Sequence, residues 1–159
     1  MAKSISSDET VFTAVHSGYR SLIIQFREFQ LADYSQVIAL WRRVGLIVGR
    51  SDSPESLRKK LERDPDLFLV AQEGDRIVGV IVGSYDGRRG WINHLAVAPE
   101  HQSAGLGSML VNQVEERLRP KGCEKVNLLI EPTNERIQGF YEQLGYARDE
   151  LIFMEKWLS

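Results

Sequence analysis

Cysteine is nearly absent. Cys123 is the one thiol in 159 residues, which excludes an intrachain disulfide framework and points to a reducing compartment. Histidine is scarce as well: His16, His94 and His101 make no metal-ligand spacing with one another or with Cys123, so no metal site is expected. Charge of one sign is missing. Twenty basic residues against 22 acidic ones leave a net −2, whereas a general nucleic-acid binder carries a basic excess. Long apolar runs are missing too, and no segment nears the roughly 18 residues of a membrane span. Residues 1–20 mix Lys3, Asp8, Glu9, His16 and Arg20 with small polar residues and lack the apolar core of a signal peptide. The expectation is a soluble cytoplasmic protein with neither nucleic acid nor membrane as partner.

What is present is ordinary globular composition, 43% hydrophobic and 26% charged. A chain of this length makes about one domain and buries roughly 68–70% of its unfolded surface. Residues 1–21 read as a polar lead-in, disordered or outside the fold, and residues 22–159 as a single domain. Leu22–Phe29 reads as a strand. Val37, Ile38, Leu40, Trp41 and Val44 fall at helical spacing and predict a helix over Asp33–Val44. Ser53 followed by Pro54 marks the start of a second helix, and Asp64–Pro65 its end. Leu67–Gln72 and Arg76–Ser84 read as a hairpin across Glu73–Gly74–Asp75, with Trp91–Ala98 as the next strand. An amphipathic helix over Gly105–Arg119 follows, then a strand at Lys125–Ile130. A last helix spans Thr133–Leu144 with Gly145 behind it, and Ile152–Leu158 closes as a final strand. This order implies an α/β fold: a mixed, mostly antiparallel sheet with helices on both faces.

The informative segment runs from Leu95–Ala96–Val97 to Gln102–Ser103–Ala104–Gly105–Leu106–Gly107–Ser108. An apolar strand ends, and a glycine-bearing turn opens a long helix. First-turn N–H groups have no intrahelical partners, and with the helix dipole they make a place for a phosphate or pyrophosphate. The dinucleotide fingerprint does not fit, because Leu110 stands where a third glycine belongs. The P-loop does not fit either, because its Lys and Ser/Thr are missing. Two glycines at a helix start also suit a plain turn with close helix–sheet packing.

Gln102-x-x-Gly105-x-Gly107 directly after Leu95–Ala96–Val97 resembles the acyl-coenzyme A pyrophosphate motif of the GNAT N-acetyltransferase superfamily. A second block, Asn134 followed by Gly139–Phe140–Tyr141–Glu142–Gln143–Leu144–Gly145–Tyr146, resembles that family's later helix block, and the order of elements is similar over about residues 22–158. The loop from Tyr85–Asp86–Gly87 to Gly90 is similar to that of small bacterial members whose substrate is unassigned. The resemblance implies acetyl-coenzyme A as acyl donor and an amine, on a small molecule or a protein, as acceptor. It implies a splayed strand pair in which Leu95, Ala96 and Val97 line the pantetheine arm and the Leu95 N–H faces the thioester carbonyl. Gln102, Ser103, Ala104, Gly105, Leu106, Gly107 and Ser108 would cradle the pyrophosphate, Asn134 would bond the pantetheine arm, and Tyr141 would protonate the leaving thiolate.

For the group that takes the amine proton, the relatives place Glu or His on the strand before the motif, on the face of Leu95. Strict alternation puts Trp91 and Asn93 on that face and His94 on the other, where it reads as a packed or solvated histidine. Glu131, acting through water, and Asp86 are the remaining candidates. Arg42, Arg43, Arg58, Lys59, Lys60 and Arg63 read as a solvated helix face, since Asp52, Glu55, Glu62 and Asp64 interleave with them. Three alternatives stay open beside an N-acetyltransferase: a non-catalytic coenzyme A-binding or regulatory module, a different nucleotide-phosphate binder at Gly105–Gly107, and an enzyme of another acyl group. Monomer and homodimer both stay open.

Many relatives carry Arg or Lys where this chain has Ser103 and Ala104, so the cradle keeps its N–H groups and loses a countercharge. Ser103→Arg is expected to tighten coenzyme A binding at low salt and to steepen its salt dependence, measured by titration at several ionic strengths. No gain at low salt would contradict the electrostatic reading.

Overall fold

The computed structural model describes residues 11–17 and 20–158, with side chains described from residue 23 onward. Six strands form one sheet in chain order: β1 Val11–Ser17, β2 Arg20–Glu28, β3 Phe68–Glu73, β4 Arg76–Tyr85, β5 Gly90–Val97 and β6 Val126–Leu128. The first five are antiparallel neighbours, and β6 runs parallel to β5. A parallel pair needs a crossover, and the 13-residue helix α3, Leu106–Leu118, supplies it. Helices α1, Tyr34–Arg43, and α2, Pro54–Arg63, fill the connection from β2 to β3. The chain divides into two compact units, Met1–Leu129 and Ile130–Ser159. The first holds the sheet and α1 to α3, and the second holds α4, Ile137–Gln143. No helix among the described residues is long and apolar enough to cross a membrane.

Local chemistry explains the helix ends. The Ser53 hydroxyl accepts the Ser56 N–H at 3.1 Å, and Pro54 occupies the first helical position, where a missing N–H costs nothing. Ahead of α1, Arg27 grips both carboxylate oxygens of Asp33, at 2.7 and 2.9 Å, and the Gln30 N–H adds a bond at 2.9 Å. Burial alone would raise the Asp33 carboxyl, but these bonds outweigh it and hold it below the usual carboxylate range.

Helices cover both faces of the sheet. On one face α1 buries Val37, Ile38, Leu40 and Trp41, and α2 reaches Ser84 of β4 through the Lys60 ammonium at 3.0 Å. On the opposite face α3 buries Leu106, Leu110, Val111, Val114 and Leu118. It comes so close to β4 that a Cβ at Gly79 would stand 3.0 Å from Leu110 Cδ1, and one at Gly83 2.8 Å from Val114 Cγ1.

Several expectations are corrected. The polar lead-in over 1–21 is not one segment, because β1 and the start of β2 fall inside it; residues 1–10 lie outside the described residues. Val11, Thr13 and Val15 are β-branched and suit a strand whose alternation is too short to stand out in sequence. The strand expected at 125–130 is three residues long, and α4 starts at Ile137 because Pro132–Asn134 forms a separate 3-10 turn. The closing strand over Ile152–Leu158 is not formed. No ladder partner meets it among the described residues, and Ile152, Met154 and Leu158 are 91%, 85% and 95% exposed. Alternating apolar residues make a strand only where a neighbour supplies the backbone bonds.

The close seat of α3 is testable at Gly83, where an added methyl meets both Val114 Cγ1 and, at 3.0 Å, the backbone carbonyl of Leu67. Gly83→Ala is expected to destabilise the protein by about 1–3 kcal/mol, a fall of several degrees in Tm. Thermal denaturation checks it, and an unchanged or raised Tm would contradict the close packing.

Candidate functional site

Strands β5 and β6 pair only over Gly90–Ile92 and Val126–Leu128, while β5 continues to Val97. Beyond Ile92 the β6 side of β5 therefore has no ladder among the described residues. The bond from Ala98 N–H to Val78 O, 2.8 Å, shows which backbone groups face β4. By the two-residue repeat of an antiparallel ladder, Ala98, Ala96 and His94 turn their polar groups toward β4, and Leu95 and Val97 turn theirs to the open side. The Gln102 side chain agrees with this, donating to Val97 O at 3.0 Å from that open side. The Leu95 N–H and C=O and the Val97 N–H remain there as a short unpaired edge.

The chain then folds back into α3. A 3-10 turn, Pro99–His101, is followed by Ser103 at φ +68° and Gly105 at φ +79°, both left-handed. Ser103 is the one non-glycine residue with positive φ among the described residues, a conformation that costs of order 1–3 kcal/mol and persists only when its surroundings impose it. The first intrahelical bond is Met109 N–H to Gly105 O, 3.1 Å, so the N–H groups of Leu106, Gly107 and Ser108 are free of intrahelical partners. The positive end of a 13-residue helix lies behind them, an arrangement that favours negative charge.

Three contacts pin this loop from outside. His101 is buried, its Nε2 3.0 Å from Glu73 Oε2 at the end of β3. Glu100 is gripped by Arg43 of α1, at 2.7 and 3.2 Å, and by Arg76 of β4, at 2.7 Å. The Arg43 bonds lead in holding the Glu100 carboxyl down to about 2. Gln102 supplies the third contact, to β5.

Strand β5 also carries a bulge. Val82 pairs with His94 and Gly83 with Ile92, so Asn93 has no opposite number on β4. This corrects the strict alternation. Ile92 and Leu95 share the α3 face, and Trp91 and His94 share the α1 face. Asn93 also turns to the α1 side, where its Nδ2 donates to Ser84 Oγ at 3.3 Å, the hydroxyl that also accepts from Lys60. Burial pulls the Lys60 ammonium below its usual range, partly countered by its 2.7 Å bond to Asp64. His94 lies against the Trp41 ring, centroids 4.6 Å apart. Burial holds its imidazole below the ordinary value, and the Asp52 carboxylate pulls it partly back. Trp41, Lys60 and the bulge had no motif to announce them, because each acquires its place through tertiary packing.

Leu95, Ala96, Val97 and the whole run Gln102 to Ser108 come together in the first unit as one edge and one loop. Asp86 is a turn residue, its Oδ1 accepting the Arg89 and Arg88 N–H groups at 2.7 and 2.8 Å, which lowers its pKa and weakens it as a base. Glu131, Asn134 and Tyr141 lie in the second unit. Glu131 and Asn134 are exposed at the two ends of the Pro132–Asn134 turn, joined by a bond from Asn134 N–H to Glu131 O of 2.8 Å. Tyr141 is buried, with the Phe140 and Tyr146 rings edge-on at 5.0 and 5.4 Å, and burial pushes its phenol up to about 12.

Residues 26–146 match the model of the acetyltransferase (GNAT) family. An acetyltransferase of Yersinia enterocolitica is 36% identical over 135 residues, covering 85% of this chain and 96% of the relative. One of Sodalis glossinidius is 35% identical over 131 residues, 82% and 92% of the two chains. In fold, the chain is similar to a PaiA N-acetyltransferase of Thermoplasma acidophilum solved with coenzyme A, TM-score 0.71 at 20% identity over 81% and 92% of the chains. It is also similar to Ard1 of Thermoplasma volcanium, TM-score 0.70 at 23% identity over 78% and 82%.

Proposed function

The chain belongs to the GNAT acetyltransferase family, and we propose that it transfers an acetyl group from acetyl-coenzyme A to a primary amine by direct attack. The observation that carries this reading is the unpaired edge of β5 running straight into the left-handed turn and the free first-turn N–H groups of α3. An extended amide chain ending in a pyrophosphate fits such a feature, because the edge offers ladder bonds and the helix start offers N–H groups. When bound, acetyl-coenzyme A supplies an acyl carbon activated as a thioester.

This chain's own groups then have separable tasks. Leu95 and Val97 bond the pantetheine arm along the edge, beside Ala96. The Leu95 N–H, held in place by the β4 ladder on its other side, meets the oxygen that becomes negative as the amine adds; one preorganised donor of this kind is worth about 2.7–4 kcal/mol of barrier. Backbone N–H groups from Ser103 to Ser108 hold the pyrophosphate, with Gln102 bracing the loop against β5. Asn134 is assigned to the arm and Tyr141 to the departing sulfur by the family pattern. Burial supports the second assignment, since it keeps the Tyr141 phenol protonated and able to donate.

Thermal-shift titration with acetyl-coenzyme A, coenzyme A and adenosine diphosphate tests the cofactor site. Both coenzyme A forms at ~100 times Kd should stabilise by about 2.7 kcal/mol, and Gly105→Glu should abolish the shift. An equal shift with adenosine diphosphate would contradict the pantetheine edge. On any amine that a panel of small-molecule and peptide acceptors identifies, Tyr141→Phe should lower kcat by about 10²-fold with little change in coenzyme A binding. Full activity of that variant would remove Tyr141 from the chemistry.

A further inference from the structure

The turn that leads into the expected pyrophosphate cradle is tied down by two arginines, and these border a cavity that the transfer chemistry does not use. The cavity measures about 190 Å³ and lies between α1, the start of β4 and the residue that follows β5. Leu40, Ile77 and Ala98, all buried, give it an apolar lining, and Arg43 and Arg76 are its charged members. Gln36 fixes α1 to β4 at its side: the Nε2 donates to Asp75 O at 3.2 Å, and the Oε1 accepts the Ile77 N–H at 2.9 Å. We infer that this cavity binds a small aliphatic carboxylate, its acid group on Arg76 and its chain on Leu40, Ile77 and Ala98, and that this binding weakens the hold on coenzyme A.

Charge and donor count select the ligand. Two guanidiniums face one carboxylate, Glu100, so the cluster keeps one positive charge uncompensated. Arg43 bonds both Glu100 oxygens. Arg76 uses only Nη2, and its Nη1 and Nε make no hydrogen bond among the described residues. Whichever Nη2 hydrogen Glu100 takes, the other lies beside Nη1–H or Nε–H and completes an unused edge of the fork. Such an edge matches the two oxygens of a carboxylate. Asp75, next to Arg76 in the turn, gives its backbone carbonyl to Gln36, and its side chain is not part of the cavity wall. A phosphate would bring no chain to cover the apolar lining. Pockets for drug-sized ligands run to roughly 300–1,000 Å³, so this smaller one suits an acid of a few carbons.

Position makes the site regulatory. Glu100 stands two residues ahead of Gln102, where the cradle begins. Arg43 foremost holds its carboxyl down to about 2, so Glu100 stays charged at physiological pH and does not release the arginines by taking up a proton. A bound carboxylate shares Arg76 with Glu100 and adds a negative charge beside the loop. Both changes oppose an anion at the start of α3. By linkage, coenzyme A weakens the carboxylate by the same factor.

The effect on the loop rests on the acetyl-coenzyme A reading, whereas binding in the cavity does not, and the experiment separates the two. The full chain is titrated at neutral pH with butyrate, and in parallel with butyramide and inorganic phosphate at matched ionic strength, by NMR of the Ile77 and Ala98 N–H groups. Coenzyme A affinity is then measured by calorimetry with and without saturating butyrate. Butyrate should shift both signals saturably, with butyramide and phosphate at least about tenfold weaker. Coenzyme A should lose about fivefold in affinity when butyrate is bound. Arg76→Gln should weaken butyrate about tenfold. Ala39→Leu, which enlarges a side chain on the α1 wall of the cavity, should abolish the butyrate response and leave coenzyme A affinity unchanged when butyrate is absent. No saturable shift with butyrate, equal binding of butyramide, tighter binding of phosphate, or butyrate binding that survives both variants overturns the site. Butyrate binding with an unchanged coenzyme A affinity overturns its effect on the loop. A protein that takes butyrate but no coenzyme A overturns the acetyl-transfer reading and leaves the carboxylate site standing.

Discussion

Helix α3 lies on β4 with no β4 side chain between them at Gly79 and Gly83, and the geometry of the candidate site depends on that contact. A crossover helix separated by one more layer of methyl groups would begin farther from the sheet. Its first-turn N–H groups would then leave the level of the β5 edge. Two glycines on a buried strand weaken it, and here the weakness is offset by the leucine and valine row of α3 that fills the space. The loop between β5 and α3 inherits a short span to cross. That span requires left-handed backbone at Ser103 and Gly105, and contacts from three other elements hold it.

Strand β5 serves different purposes along its length and on its two faces. Its first three residues complete the sheet with β6, and its last five leave one edge unpaired. The bulge at Asn93 falls where these regimes meet. It changes which side chains look toward α1, gathering Asn93 and His94 beside the edge. An uninterrupted strand would leave His94 opposite Leu95 and carry Asn93 to the face of Leu95, toward α3.

Charge is arranged sparingly around the loop. No cation lies between Gln102 and Ser108, and the one carboxylate just ahead, Glu100, is neutralised by Arg43 and Arg76. Both pairs are half-exposed and contribute little stability. Their effect is local, because a bare carboxylate there would oppose an anion at the helix start. What attraction the loop offers is therefore carried mainly by backbone dipoles, which salt screens less than exposed side-chain charges.

Much of the first unit was legible from residue order. Strands β2 to β5, helices α1 to α3, the Ser53 cap and the hairpin at Gly74 all announced themselves, because helical spacing, alternation and cap chemistry act over a few neighbouring residues. The motif from Leu95 to Ser108 was legible for the same reason, and so was the family. Tertiary structure alone decided the rest. The pairing of β1 depends on β2 accepting it, and a strand over 152–158 needs a ladder partner that no described residue supplies; neither is a property of the segment itself. The bulge at Asn93 arises from register between β4 and β5, which alternation along one strand cannot report. Gly79 and Gly83 look like weak points in a strand until α3 is laid over them, and His94 looks like a spare histidine until Trp41 and Asp52 close around it. Local chemistry determines what each segment can be, and only packing between distant segments determines which groups face one another.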